Sequence, residues 1–112
     1  MPSSGLNGPY PLIATIIDRT VAANRIGAYV LGHLSGGNVF NITYVGRSDD
    51  DLAGRLKQHV GSYTQFKFGY FPSAVAAFEK ECTLYHDFEP RHNEIHPARP
   101  RTGNHRCPRC GQ

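Results

Sequence analysis

The chain has 112 residues, a formal net charge of +3, and twelve glycines with eight prolines. This length suits one domain with a modest core, and the glycine and proline content predicts many turns. No apolar run approaches the roughly 20 residues that span a bilayer and no secretory signal is recognisable, so we expect a cytoplasmic protein without a membrane partner.

The predicted elements begin after an irregular segment. Residues 1–11 are rich in Pro, Gly, Ser and Asn and have no periodicity, which predicts an unstructured lead-in. Residues 12–23 place apolar side chains on one face of a helix. Two stretches rich in β-branched and aromatic residues, 27–31 and 39–45, are joined by turn-forming residues and predict a β-hairpin.

A helix, a strand and a second helix follow. Ser48 and the three aspartates after it indicate a helix start, and that helix is predicted to end at Gly61. Residues 65–70 alternate aromatic with other side chains and predict a third strand, after which Ser73 caps a helix over 74–88. Consecutive strands without βαβ alternation predict an α+β fold with a small three-stranded antiparallel sheet flanked by helices.

Charge is unevenly distributed along the chain. Residues 91–112 hold five arginines and one glutamate, so they carry +4 of the net charge and the rest of the chain carries −1. We predict a lead-in and helix over 1–24, a folded domain over 25–93, and a basic tail over 94–112. Arginine suits contact with phosphate, although solvated basic tails without a partner are nearly as common.

Arg55 and His59 are the first candidates for chemistry. They lie four residues apart on a predicted helix, one above the other at the border of its apolar stripe, where side chains can reach a cleft. A surface arginine beside a partly buried histidine is the commoner explanation of such a pair taken alone.

Two tyrosines and two glutamates are further candidates. Tyr29 and Tyr44 lie on the paired strands, where tyrosine usually packs. Glu79 and Glu81 flank the apolar face of the helix over 74–88 from opposite sides, and periodicity alone does not choose between them. Each candidate therefore has an ordinary structural explanation when considered singly.

Order and spacing carry more information than any single candidate. The chain contains five short patterns in succession: Gly27-Ala28-Tyr29, Tyr44-Val45-Gly46, Arg55-x-x-x-His59, a helical glutamate and a later asparagine. This succession resembles the GIY-YIG nuclease superfamily over residues 27 to about 93. Ala28 and Val45 depart from the usual residues, at positions that pack rather than react.

The resemblance also distinguishes the glutamates. In repair nucleases of the superfamily an alanine precedes the metal-binding glutamate by four residues and an asparagine follows it by twelve, and these spacings match Ala77, Glu81 and Asn93. The resemblance therefore implies Glu81 as the ligand of a Mg²⁺ or Mn²⁺ ion, with Glu79 ranked second.

The function implied by the resemblance is that of a metal-dependent endonuclease hydrolysing nucleic-acid phosphodiesters, with DNA favoured over RNA. Six residues would be catalytic: Tyr29, Tyr44, Arg55, His59, Glu81 and Asn93. Arg55 would clamp a phosphate oxygen, and either Tyr29 or His59 would accept the proton of the attacking water. Four others would contact the substrate: Gly27, Gly46, Arg47 and Lys57.

The tail offers a second metal site. Cys107 and Cys110 have the spacing of half a structural zinc site. A second chain, further residues or two of four histidines would complete it, with His96 and His105 as the candidates among His86, His92, His96 and His105, and a disordered tail is the alternative. The competing function is a catalytically silent nucleic-acid-binding module of the same fold. Because no second DNA-binding domain is recognisable, targeting would come from the tail, a dimer or a partner protein.

Overall fold

A computed structural model describes residues 6–36 and 39–88 of the chain, which form an α+β fold as predicted. The strands in this part are β1 (Asn7–Pro11), β2 (Gly27–Ser35), β3 (Val39–Ser48) and β4 (Gln65–Tyr70). The helices are α1 (Ala14–Thr20), α2 (Leu52–Lys57) and α3 (Ala74–Phe88). None of these helices combines the length and apolarity needed to cross a membrane.

The four strands form one antiparallel sheet in the order β1-β4-β2-β3. In the β2–β3 hairpin Tyr29 is opposite Gly46 and Leu31 is opposite Tyr44. Because alternate residues of a strand share a face, Tyr29 and Tyr44 lie on the same side of the sheet as diagonal neighbours. The register of the hairpin thus brings the two tyrosines together.

The prediction of three strands was wrong, because residues 7–11 pair with β4 as a fourth strand. Their glycine and proline content indicated an irregular segment, but an edge strand tolerates proline, and the register of β1 shifts between Asn7 and Tyr10. The ring of Tyr10 packs against Phe66 and Phe68, so a long-range contact holds this strand in place.

Helices cover both faces of the sheet. The face that carries Tyr29 packs against α1 and α2 in a buried cluster: Leu12, Ile17, Val21, Tyr29, Leu31, Leu52, Ala53, Leu56, Phe66 and Phe68. The opposite face packs against α3 through Val30, Val45 and Leu84. The sheet is therefore the middle layer of three.

Helix α2 is shorter than predicted, ending at Lys57 rather than near Gly61. Beyond it the backbone forms 3₁₀-type hydrogen bonds between residues three apart. The N–H of His59 donates to the carbonyl of Leu56 at 3.0 Å. His59 thus lies in the turn after the helix. Helix α1 is also shorter than its predicted range.

Helix α3 and strand β4 have the bounds that the sequence predicted. The hydroxyl of Ser73 accepts a hydrogen bond from the N–H of Ala76 at 3.1 Å, which confirms Ser73 as the helix cap. The predicted basic tail lies outside the described residues, as do five predicted site residues: Asn93, His96, His105, Cys107 and Cys110.

Candidate active site

The centre of the candidate site is a hydrogen bond between Tyr29 and His59. The hydroxyl Oη of Tyr29 lies 3.0 Å from Nε2 of His59. Strand β2 carries the tyrosine, whose side chain is 1% exposed, and the turn after α2 carries the half-buried histidine. Two residues thirty positions apart in the chain therefore meet at this hydrogen bond.

Burial of Tyr29 favours its hydroxyl as the donor of this hydrogen bond. Desolvation, assisted by the charges of Tyr44 and Glu81 and opposed by Arg55, raises the pKa of Tyr29 well above its ordinary value. The phenol therefore keeps its proton at neutral pH, and a buried O–H group requires an acceptor. Among the described residues Nε2 of His59 is that acceptor.

The protonation of His59 agrees with this direction. Burial first, and then the charge of Arg55, lower the pKa of His59 below its ordinary 6.5. A neutral imidazole has one acceptor nitrogen and one N–H group. Since Nε2 accepts from Tyr29, Nδ1 carries the proton.

Tyr44 completes a group of three rings. Its ring centroid lies 5.1 Å from that of His59 and 6.4 Å from that of Tyr29. Tyr63 extends the group, with its centroid 6.1 Å from Tyr44 and 6.2 Å from His59. Sequence reasoning missed Tyr63 because it lies in the irregular segment before β4, where no periodicity marks it.

Gly46 makes room for the side chain of Tyr29. A Cβ atom at this position would lie 2.5 Å from both Cζ and Oη of Tyr29. Gly27 is confined in a similar way, with Cδ2 of Leu52 at 2.5 Å from the equivalent point. Packing inside the protein therefore accounts for both glycines, and their predicted contact with the substrate stays a prediction.

Arg55 and Glu81 act electrostatically on the same tyrosines. The charge of Glu81 raises the pKa of both Tyr29 and Tyr44, and the charge of Arg55 opposes it at both. At Tyr44, as at Tyr29, burial is the largest cause of the raised pKa. The guanidinium of Arg55 is exposed and makes no ion pair with another described residue, so it is available to an incoming anion.

Glu81 itself forms a buried ion pair with Arg47. Oε1 of Glu81 accepts a hydrogen bond from Nη1 of Arg47 at 2.7 Å, and the two side chains are 10% and 11% exposed. The Nε of Arg47 also donates to Oδ1 of Asp49 at 2.8 Å. The sequence did not reveal this contact, because 34 residues separate its members.

The structure distinguishes the two glutamates physically. Glu79 is exposed, whereas Glu81 lies on the buried face of α3, rather than at its flank as predicted. A carboxylate is the hard oxygen donor that Mg²⁺ and Mn²⁺ prefer, and these ions keep several waters, so the chemistry of Glu81 fits them. No three His, Cys, Asp or Glu side chains within residues 6–36 and 39–88 are grouped to hold a metal ion.

The remaining predicted substrate contact, Lys57, is exposed on α2 and forms an ion pair with Asp18 of α1. Among the predicted site residues, Tyr29, Tyr44 and His59 are in direct contact. Arg55 and Glu81 act on both tyrosines through their charges, and Arg47 contacts Glu81.

Comparisons with protein-family models, with curated proteins and with solved structures each found no match.

Proposed function

We propose that this protein is a metal-dependent endonuclease of the GIY-YIG type, with DNA as the favoured substrate. The observation that carries the proposal is the hydrogen bond from Tyr29 to His59, with the charges of Arg55 and Glu81 acting on the same tyrosine. Hydrolysis of a phosphodiester needs a proton acceptor, a cation for the phosphoryl oxygens, and assistance to the departing oxygen.

The two candidates for the base act together in this proposal. The raised pKa of Tyr29 makes a free phenolate unfavourable at neutral pH. As the water attacks phosphorus, Tyr29 Oη takes a proton from the water and passes its own to Nε2 of His59. His59 then carries the positive charge, and no phenolate accumulates. Tyr29 and His59 together thus act as the general base.

The other residues position and stabilise the phosphate. Arg55 donates hydrogen bonds to a non-bridging phosphate oxygen, for which its exposed guanidinium is suited. Tyr44, half-buried beside the pair, orients the water or the phosphate through its hydroxyl. When bound at Glu81, a Mg²⁺ or Mn²⁺ ion would supply polarisation of the phosphate and stabilisation of the departing oxygen.

Nicking of supercoiled plasmid in the presence of Mg²⁺ or Mn²⁺ tests the proposal. Arg55→Ala and Glu81→Gln are each expected to abolish cleavage. Glu79→Gln is the matched control: it makes the same change two residues away, at an exposed position, and should retain full activity. Full activity in Arg55→Ala or Glu81→Gln would contradict the assignment, provided that each variant melts cooperatively.

One observation favours a second function. The Arg47 guanidinium already neutralises Glu81, and this arrangement would suit a module that binds nucleic acid without cleaving it. The same plasmid experiment separates the two functions when it is paired with a gel-shift measurement. Binding of DNA without nicking, in Mg²⁺ and in Mn²⁺, would identify the silent module.

A further inference from the structure

The Arg47–Glu81 ion pair occupies the carboxylate to which the proposed function assigns the metal. Nη1 of Arg47 lies 2.7 Å from Oε1 of Glu81, and both side chains are about nine-tenths buried. A divalent cation and a guanidinium bound at one carboxylate oxygen would repel each other at close range in an environment that screens charge poorly. Occupation of Glu81 by one cation therefore opposes occupation by the other.

Asp49 gives Arg47 a second partner. Nε of Arg47 donates to Oδ1 of Asp49 at 2.8 Å, and the Asp49 side chain is more exposed than that of Glu81, 39% against 10%. The planar guanidinium thus spans two carboxylates with two different nitrogens. If the contact to Glu81 breaks, the contact to Asp49 can keep the charge of Arg47 paired near the surface.

We propose that Arg47 is an internal cation that competes with the divalent metal for Glu81, and that Asp49 retains Arg47 when the metal displaces it. This inference rests on the proposed function, because it takes Glu81 as the metal ligand. In the metal-free protein Arg47 keeps a buried carboxylate neutralised. Breaking this pair reduces the net affinity for metal.

Calorimetric titration of the full chain with Mg²⁺, without nucleic acid, measures the competition directly. Arg47→Met removes the competitor and is expected to bind Mg²⁺ at least about tenfold more tightly than the wild type, a coupling of ordinary size. Glu81→Gln should lose this binding and defines the background from the rest of the chain. Arg19→Met removes one positive charge from an exposed position on α1 and should leave the affinity unchanged.

Two further variants separate direct pairing from long-range repulsion. Arg47→Lys keeps the charge, but a single ammonium group cannot span both carboxylates, so Mg²⁺ should bind several-fold more tightly than in the wild type. Asp49→Asn removes the alternative partner, leaves Arg47 more firmly on Glu81, and should weaken Mg²⁺ binding. An unchanged affinity in Arg47→Lys would show that long-range charge alone acts, and would overturn the direct competition.

Thermal unfolding provides a readout that does not depend on activity. Arg47→Met removes the ion-pair partner of a buried carboxylate, and it should melt below the wild type without metal. Added Mg²⁺ should raise its melting temperature more than that of the wild type, because at equal ligand concentration the tighter-binding protein gains more stability. If Arg47→Met does not fold without metal, Arg47→Lys takes its place in both measurements.

The outcomes distinguish this inference from the proposed function. Equal Mg²⁺ affinity in the wild type and in Arg47→Met, lost from both on Glu81→Gln substitution, would overturn the competition and leave the metal site intact. Absence of Glu81-dependent Mg²⁺ binding from every variant, with the chain folded, would overturn both. Tighter binding in Arg47→Met and Arg47→Lys, with weaker binding in Asp49→Asn, supports the competition.

Discussion

Tyr29 and Gly46 are opposite each other on β2 and β3, and the tyrosine ring occupies the space that a side chain at position 46 would need. The glycine of one motif therefore has a packing relationship with the tyrosine of the other. The two sequence patterns are parts of one structural unit.

Gly46→Ala should displace Tyr29 from His59. A Cβ atom 2.5 Å from Oη and Cζ of Tyr29 forces the ring to move, and overpacking of this kind costs about 1–3 kcal/mol of stability. We expect a lower urea midpoint and a large loss of cleavage. Gly36→Ala is the control, because its Cβ would have no neighbour within 4 Å. Wild-type stability and activity in Gly46→Ala would refute the relationship.

Tyr29→Phe should separate the chemical role of the hydroxyl from the packing role of the ring. The ring stays buried and only the hydrogen bond to His59 is lost, so the free energy of unfolding should decrease by about 1 kcal/mol. Single-turnover cleavage should fall at least about 100-fold, since the variant has no hydroxyl to pass a proton from the attacking water to His59. Retained cleavage would show that His59 acts without Tyr29.

Cleavage should depend on the protonation state of His59. Only the neutral imidazole can accept the proton from Tyr29, so the rate rises with pH through the pKa of His59. Burial and Arg55 hold that pKa below 6.5, and the midpoint of the rise should therefore lie below pH 6.5. NMR titration of the imidazole checks the assignment independently of activity. A His59 pKa above 6.5 would contradict the described environment.

The stability of the protein should decrease at alkaline pH because of Tyr29. Its pKa is near 10.0 in the unfolded chain and well above that in the folded protein, mainly because of burial. The unfolded state thus loses the proton first, and the contribution to stability, complete below pH 10.0, is lost as the pH rises further. Urea unfolding at increasing pH should show this decline, and Tyr29→Phe should show a shallower one. Parallel declines in the two proteins would exclude Tyr29 as the cause.

Local patterns in the sequence were sufficient for several elements. Strand β4 and helix α3 have their predicted bounds because each carries a clear apolar period and a turn or cap at its start. The β2–β3 hairpin was likewise expected, although both strands run further than their apolar stretches. Strand β1 was missed because its residues have no periodicity of their own and form a strand by pairing with β4, more than fifty residues away.

The predicted membership of the site came from the resemblance, which rests on the order and spacing of short patterns along the chain. Among the described residues, the resemblance implies five members of one site: Tyr29, Tyr44, Arg55, His59 and Glu81. Their roles depend on environment, and environment is a property of the folded chain. Helix periodicity alone did not choose between Glu79 and Glu81. The folded structure distinguishes them, because Glu79 is exposed and Glu81 is buried.

The sequence by itself determined the α+β class, the bounds of β4 and α3, and the set of residues that resembles a nuclease site. Only the tertiary structure decided that Tyr29 is hydrogen-bonded to His59, that Gly46 provides space for the tyrosine, and that Arg47 holds Glu81. The physical reason is that helix and strand periods are local, whereas desolvation, close packing and buried ion pairs depend on residues distant in the chain.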